Sequence, residues 1–225
     1  MSAKGSQANR KTVLIVDDHE LMRQGLAQLI AQEPDLVVCG ECEDAASAMK
    51  AIEKSRPDLA IVDITLKDSH GIELIKDIRA RWPGLLVLVL SMHDELFYAE
   101  RVLRAGARGY VTKAEASAKV VEAIRKVLGN GIYVSDAVAS RVLCKMVGAK
   151  ADTVSFALDA LTDREFEVFE LIGQGLESRE IAERLHVSVK TVSTHREHIK
   201  QKLNLDSATE LLMYAVQWAQ IERGP

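Results

Sequence analysis

A chain of 225 residues, 48% of them hydrophobic, can fill one large domain or two modest ones. Its formal net charge of −4 provides no generally basic surface, so a nucleic-acid face has to come from a local concentration of Lys and Arg. Three cysteines, an odd number, suit a reducing compartment better than a disulfide framework. The polar stretch Met1 to Lys11 lacks the apolar core of a signal peptide. The longest aliphatic run, Leu85–Leu90, falls far short of the roughly 20 residues of a membrane helix. A soluble, cytoplasmic protein without membrane contact is expected.

From Thr12 onward, short apolar runs alternate with helical stretches. The runs are Val13–Val16, Leu36–Val38, Leu59–Val62, Leu85–Leu90 and Tyr110–Val111. The helices are read at Glu20–Gln32, Ala45–Lys54, Ile72–Arg81, Glu95–Ala105 and Ala116–Leu128. Their apolar residues recur at three- and four-residue spacing, as in Leu26, Leu29 and Ile30 or Leu74, Ile75 and Ile78. Leu59–Val62 is apolar at every position, which suits a strand buried on both faces. The alternation predicts an α/β fold with a doubly wound parallel sheet. Five βα units predict the flavodoxin-like order 2-1-3-4-5, with a crevice at the carboxyl ends of strands one and three.

The polar residues at those ends carry the chemistry. Strand one stops on Asp17-Asp18, strand three on Asp63, strand four on Ser91 and strand five on Thr112-Lys113. Converging carboxylates repel one another unless a cation neutralises them, and a small oxygen site that keeps waters favours Mg2+. A phosphoryl group added to Asp63 would be held by that metal, the Lys113 ammonium and the Ser91 hydroxyl. The bland alternative is acidic residues that merely end strands and solvate the rim. It explains any one Asp more easily than the whole set in this order.

Val16-Asp17-Asp18-His19, Ile61-Val62-Asp63, Leu90-Ser91 and Val111-Thr112-Lys113 resemble the receiver domain of bacterial two-component response regulators, from Thr12 to about Asn130. The resemblance implies that Asp63 accepts a phosphoryl group from a phosphohistidine on a sensor histidine kinase. It implies that Asp17 or Asp18, with Asp18 favoured as the direct ligand, joins Asp63 and the backbone carbonyl of Thr65 around Mg2+. Ser91 and Tyr110 match the hydroxyl and aromatic positions that rearrange on activation. No enzymatic activity is expected beyond the domain's own phosphoryl transfer and dephosphorylation. Two positions depart from the pattern: Lys67 and Ala114 stand where many receivers carry Pro.

Other residues in this half admit plainer readings. Cys39 and Cys42 form a lone Cys-x-x-Cys without a second pair, and read as partly buried packing residues. His19 and His93 flank the crevice, as solvated loop histidines or as groups that tune water attack on an acyl phosphate. Met92 reads as core or rim packing.

Gly129-Asn130-Gly131 breaks the alternation. Ser135 is placed to cap a further helix with Val138, Val142 and Met146 at four-residue spacing, Leu143 and Val147 alongside, and Gly148 at its end. Ala149 to Ala160 is small, polar and aperiodic, a tether that lets two halves reorient.

Beyond the tether, Thr162 and Glu165 have capping-box spacing, with Leu161 and Phe166 as the hydrophobic staple. That helix turns Val168, Phe169 and Ile172 inward and stops at Gly173 and Gly175. A second, Ser178–Leu185, packs Ile181, Ala182 and Leu185. The turn His186-Val187-Ser188 leads to a third, capped by Ser188, with Val192, Ile199 and Leu203 on one face. Two helices joined by a tight turn follow the helix-turn-helix plan. Between Arg184 and Leu205, five cations (Arg184, Lys190, Arg196, Lys200, Lys202) stand against one acid, Glu197, a net of +4 in a chain of −4. On such a helix pair this charge points to phosphate contacts, with a merely solvated face as the alternative.

Leu161-Thr162-x-Arg164-Glu165, Glu180-Ile181-Ala182, Ser188-x-x-Thr191-Val192-x-x-His195, Ile199 and Lys202-Leu203 resemble the LuxR-type helix-turn-helix over nearly all of Leu161 to Ala219. With the receiver-like half in front, the chain looks like the NarL/FixJ class. Carried over position by position, Ser193, Thr194 and Glu197 face base edges, while Lys190, Thr191 and Lys200 meet phosphates. Ser193 stands where many relatives carry Lys, so the operator is not legible. The implied partners are double-stranded DNA, a second copy on DNA or when phosphorylated, and RNA polymerase. The expected division is a receiver over 12–131, a linker helix and tether over 132–158, and a four-helix DNA-binding domain over 159–223. Its last helix carries a capping box, Ser207 with Glu210, and two apolar stripes, Leu211-Ala215-Trp218 and Leu212-Val216-Ala219. One stripe serves the domain core. The other is covered by a second DNA-binding domain or within the same protomer.

Two rival functions remain at this level. A phosphatase with Asp63 as nucleophile usually carries a second Asp two residues on, where this chain has Thr65. A constitutive DNA-binding protein with a silent receiver does not need the full acidic set and Lys113.

Overall fold

The structure is a computed structural model that describes residues 10–66, 69–146 and 158–223. Lys67, Val147, Gly148 and most of the tether therefore lie outside the described residues. The chain divides into two compact units, Met1–Ala139 and Ser140–Pro225. Among the described residues no helix is long and apolar enough to cross a membrane.

The first unit contains strands β1 (Lys11–Val16), β2 (Leu36–Cys42), β3 (Leu59–Val62), β4 (Thr65–Leu66), β5 (Ser69–His70), β6 (Leu86–Ser91) and β7 (Gly109–Thr112). Five of them form a parallel sheet in the order β2-β1-β3-β6-β7, the doubly wound order expected, while β4 and β5 pair antiparallel as a separate hairpin. Helices α1 (Glu20–Ala31), α2 (Ala45–Ser55), α3 (Gly71–Arg81), α4 (Glu95–Ala105) and α5 (Ala116–Leu128) supply the crossovers. Val13 to Val16 and Leu59 to Val62 are fully buried, because helices cover the sheet on both sides. Each Val, Leu or Ile among them contributes about 1.5–3 kcal/mol by leaving water.

The elements differ from expectation where local geometry overrides pattern. β2 runs four residues past Val38, because Val13 pairs with Val38 and Leu14 with Gly40, leaving Cys39 as the extra residue of a bulge. The bulge breaks the period-two alternation from which strands are read. Cys42 is buried and Cys39 half-buried; neither they nor Cys144 forms a disulfide. Met92, expected as packing, is 73% exposed. The Lys113–Ala114 peptide is trans.

After α5 the chain returns to the sheet. Tyr133 bridges Gly109 in parallel fashion, with Tyr110 N donating to the Tyr133 carbonyl at 2.8 Å and Tyr133 N to the Arg108 carbonyl at 2.9 Å. The Ser135 N–H then donates to Glu95 Oε1 at 2.8 Å, and the Ser135 hydroxyl caps helix α6 (Asp136–Met146) by accepting from Val138 N at 3.3 Å.

The second unit contains α7 (Asp163–Gly173), α8 (Ser178–Arg184), α9 (Val189–Leu203) and α10 (Ala208–Arg223). The capping box of Thr162 and Glu165 opens α7. Val168, Phe169, Ile172, Ile181, Ala182, Leu185, Val192 and Ile199 fill the core as expected. Phe166 meets the Trp218 ring edge-on at 5.4 Å, and Phe169 lies 5.5 Å from it. Gly173 serves packing more than termination: a Cβ there would fall 2.5 Å from the Ala215 carbonyl oxygen on α10. Gly175, at φ 87°, supplies the left-handed turn after the helix. On α10, Leu211, Ala215 and Trp218 are buried, whereas Leu212 is 43% and Met213 67% exposed. The second stripe is thus split, since Ala219 is buried too.

Candidate functional site

The carboxyl ends of β1, β3, β6 and β7 bring the expected residues together. Asp63 follows β3 and is 2% exposed. The Lys113 ammonium reaches across from the end of β7, 2.6 Å from Asp63 Oδ2 and 2.7 Å from Asp17 Oδ2. Asp63 Oδ1 accepts the Thr65 N–H at 3.2 Å, and Asp17 Oδ1 accepts the His19 N–H at 2.8 Å. Asp18 is more open to solvent, with Oδ1 2.7 Å from His19 Nδ1.

Charge does not balance in this crevice. Asp17, Asp18 and Asp63 place their carboxylates, together with the His19 ring, within 4.8 Å of one another. Three carboxylates against one ammonium leave two negative charges to be met. Burial pushes the Asp63 carboxyl above its usual range; Lys113 pulls it back in part, and Asp17 adds to the rise. Burial alone would lower Lys113, but Asp63 and Asp17 outweigh it and hold the ammonium above its ordinary value. Asp17 Oδ2 and Asp18 Oδ1 are buried atoms that accept no well-aligned hydrogen bond, their near neighbours Lys113 and His19 being ion-pair contacts. Unsatisfied carboxylate oxygens with a shortfall of two charges fit a hard divalent cation.

Ser91, fully buried, accepts the His93 N–H at 3.2 Å. The Tyr110 phenol, also buried, donates to the His93 carbonyl at 2.9 Å and neighbours the Ser91 hydroxyl; burial pushes its pKa up. His93 is no solvated loop histidine: Nε2 lies 3.0 Å from Thr65 Oγ1, and the ring stacks on Tyr98 at 4.5 Å. His19, 65% exposed at its side chain, is open to water yet touches both Asp17 and Asp18.

Sequence reasoning passed over Gly71. A Cβ at this position would lie 2.1 Å from the Asp63 carbonyl oxygen and 2.8 Å from Ile64 Cα, while Gly71 N donates to the Ile64 carbonyl at 2.7 Å. The first turn of α3 therefore presses on the backbone that aims Asp63, and the absence of a side chain permits it. A glycine at a helix start, eight residues past the Asp63 carboxylate, is the signal that was available.

On α9 the exposed residues include Lys190, Ser193, Thr194 and Glu197. Ser188 caps the helix by accepting from Thr191 N at 3.0 Å, and its hydroxyl lies 2.8 Å from Thr191 Oγ1. Ser193 and Thr194 hydroxyls donate back to the Val189 and Lys190 carbonyls, each at 3.0 Å. Lys200, mostly covered, pairs with Glu197 at 2.9 Å, and Lys202 pairs with Glu165 at 2.6 Å. The net charge of the segment thus overstates the cations open to a ligand.

A parallel sheet with an acidic crevice and an opposing lysine, followed by a helix-turn-helix unit, defines a regulator that couples a receiver to a DNA-binding module. Residues 13–125 match the family model described as the response regulator receiver domain, and residues 159–215 match bacterial regulatory proteins of the luxR family. The chain is 32% identical over 228 residues to the transcriptional regulatory protein DegU of Brevibacillus brevis, covering 95% of this chain and 97% of that one. It is 33% identical to the DNA-binding transcriptional activator DevR/DosR of Mycobacterium tuberculosis, covering 91% and 94%. Among solved structures it is similar to RcsB of Salmonella enterica serovar Typhimurium bound to promoter rprA in the presence of the phosphomimetic BeF3-, at TM-score 0.68 and 28% identity, covering 92% and 99%. The chain belongs to the response regulators that join a receiver domain to a LuxR-type DNA-binding domain. It is a two-component transcriptional regulator.

Proposed function

We propose that Asp63 is the phospho-acceptor, charged by a phosphohistidine of a sensor histidine kinase, and that its modification sets the DNA affinity of the second unit. The observation that carries this is the buried Asp63 carboxylate gripped by Lys113 at 2.6 Å beside two further carboxylates. A carboxylate oxygen of Asp63 attacks phosphorus, and the phosphorus–nitrogen bond breaks with its electron pair returning to the imidazole. Lys113 stabilises the phosphoryl oxygens as a point charge, and Ser91 turns its hydroxyl from the His93 N–H toward them. Asp17, Asp18, Asp63 and the Thr65 carbonyl would hold Mg2+, which supplies charge neutralisation for the incoming phosphoryl group.

Moving Ser91 frees the His93 segment, whose carbonyl holds Tyr110, so both switch positions respond together. The result is a shift between pre-existing arrangements. Inverting a 99:1 equilibrium requires a bias of about 5.5 kcal/mol, and a smaller bias gives graded control. On the DNA side, Lys190, Thr191 and Lys200 meet phosphates while Ser193, Thr194 and Glu197 approach base edges. The exposed Leu212 and Met213 on α10 support pairing with a second copy on DNA. Direct contact with RNA polymerase and a cytoplasmic setting belong to the same reading, with no turnover of external substrates.

Acetyl phosphate with Mg2+ should add one phosphoryl group to the full chain by intact mass, and Asp63→Asn should remove that addition. Labelling that persists in the variant places the acceptor elsewhere. Sedimentation with and without DNA tests pairing, and an unchanged monomer in every condition rejects it.

A further inference from the structure

Two consecutive side chains at the start of α7 hold the other two helices of the DNA-reading motif. The Arg164 guanidinium is engaged at both tips: Nη1 lies 2.7 Å from Glu167 Oε2, and Nη2 donates to the Leu185 carbonyl at 2.6 Å. Leu185 ends α8 and immediately precedes His186, whose φ of 52° turns the chain toward α9. Glu165 is 4% exposed. Its Oε2 accepts from the Thr162 N–H at 2.8 Å and from the Lys202 ammonium at 2.6 Å, and Oε1 lies 3.6 Å from His198 Nδ1. Lys202 sits in the last turn of α9. One carboxylate thus joins the backbone that begins α7 to the far end of α9. A guanidinium fixed at both tips and a charge-assisted bond to a buried carboxylate define geometry more tightly than fully solvated pairs do.

Burial also alters the charge available to a ligand. Lys202 is held by the buried Glu165, whereas Lys200 meets the exposed Glu197 in a solvated pair weak enough for a phosphate to displace. Among the described residues, Lys190 and Arg196 are the α9 cations with no ion pair.

We propose that Arg164 and Glu165 are positioning residues for DNA recognition: Arg164 fixes the end of α8 and its turn, while Glu165 fixes α9 and withholds Lys202 from phosphates. The inference rests on the DNA-binding role of this unit and adds a division of labour within it. Lys202 lies on the basic helix but acts inward. Selectivity depends on two side chains at the start of a neighbouring helix.

The full chain is titrated against two duplexes over a range of salt: one of random sequence, and one enriched from a randomised pool by the wild-type chain. Lys202→Gln should leave the salt slope on the random duplex unchanged, whereas a lysine in contact with phosphate would flatten it by about 0.9. Glu165→Gln releases the lysine, so the slope should steepen by about 0.9. The ratio of enriched to random affinity should fall on the order of tenfold. The double variant should restore the slope but not the ratio. Should Glu165→Gln fail to fold by Trp218 fluorescence in a Trp82→Phe background, Arg164→Lys keeps the charge and removes the fork, and should lower the ratio without changing the slope. Flattening by Lys202→Gln, or an undiminished ratio in folded variants, overturns the proposal alone. A wild-type chain that enriches no sequence and binds without salt dependence overturns the DNA-binding reading as well.

Discussion

At the carboxyl edge of the receiver sheet three carboxylates share a single ammonium, whereas in the helix-turn-helix unit the buried carboxylate of Glu165 has its own lysine. The two regions use similar groups at similar distances, yet only the first leaves negative charge unmet. A buried charge deficit favours whatever supplies cationic charge or covalently alters the acid, so that site responds to its surroundings. A paired charge gains nothing from a further ligand and holds helices at fixed angles. Receptivity in one half and rigidity in the other follow from how many partners each carboxylate has.

Removing the shared ammonium gives the sharpest break in this contrast. Lys113→Met leaves Asp17 and Asp63 buried without their cation, and should cost the receiver unit about 3–5 kcal/mol. Added Mg2+ should recover part of that loss. Trp82 lies in this unit and Trp218 in the other, and the chain has two tryptophans, so urea unfolding in a Trp218→Phe background reports the receiver alone. A loss under about 1 kcal/mol, the range of solvated surface pairs, would show that water already screens the triad.

Gly71→Ala should come next, at about 1–3 kcal/mol, because a methyl must displace the Asp63 backbone. Acetyl phosphate labelling should fall along with stability. Full labelling at wild-type rate would separate the α3 contact from the aim of Asp63. Ser188→Ala removes the cap of α9 and should cost about 1 kcal/mol, read from Trp218 in a Trp82→Phe background. An unchanged midpoint would mean the turn holds the helix start by itself.

The smallest effect is a dependence on pH, and it distinguishes the two carboxylates. Burial works to raise Glu165, but Lys202 and the Thr162 N–H outweigh it and hold the carboxyl below its ordinary value of 4.5. Its contribution is therefore fully present above that value and lost as pH falls through the lower folded-state value. Asp63 is shifted the opposite way. Acid unfolding followed by Trp218 in the Trp82→Phe background should thus be shallower below pH 4.5 in Glu165→Gln than in the parent. A slope equal to wild type would show that the carboxylate is not coupled to folding.

Much of this was legible in the chain because strand ends are legible. Asp17, Asp18, Asp63, Ser91 and Lys113 each close an apolar run, and a doubly wound order sends those ends to one edge. The capping box of Thr162 and Glu165 is a local pattern and needs no tertiary information. Gly71 and the hairpin of β4 and β5 were not legible, because their reason is contact between segments rather than periodicity. Lys202 was counted with the basic face, since its partner lies 37 residues earlier in sequence. Met92 and His93 exchanged roles for a related reason: at a strand end the alternation that says which side chain faces inward has already stopped.

The return of residue 133 to the sheet places the start of the linker on the open side of β7, the terminal strand of the sheet. There it occupies the Tyr110 N–H and the Arg108 carbonyl, which an edge strand would otherwise present to other chains. Any rearrangement that peels this segment away uncovers a template for strand addition beside Tyr110. Freedom of the linker and protection against edge-to-edge aggregation are therefore drawn from the same pair of hydrogen bonds.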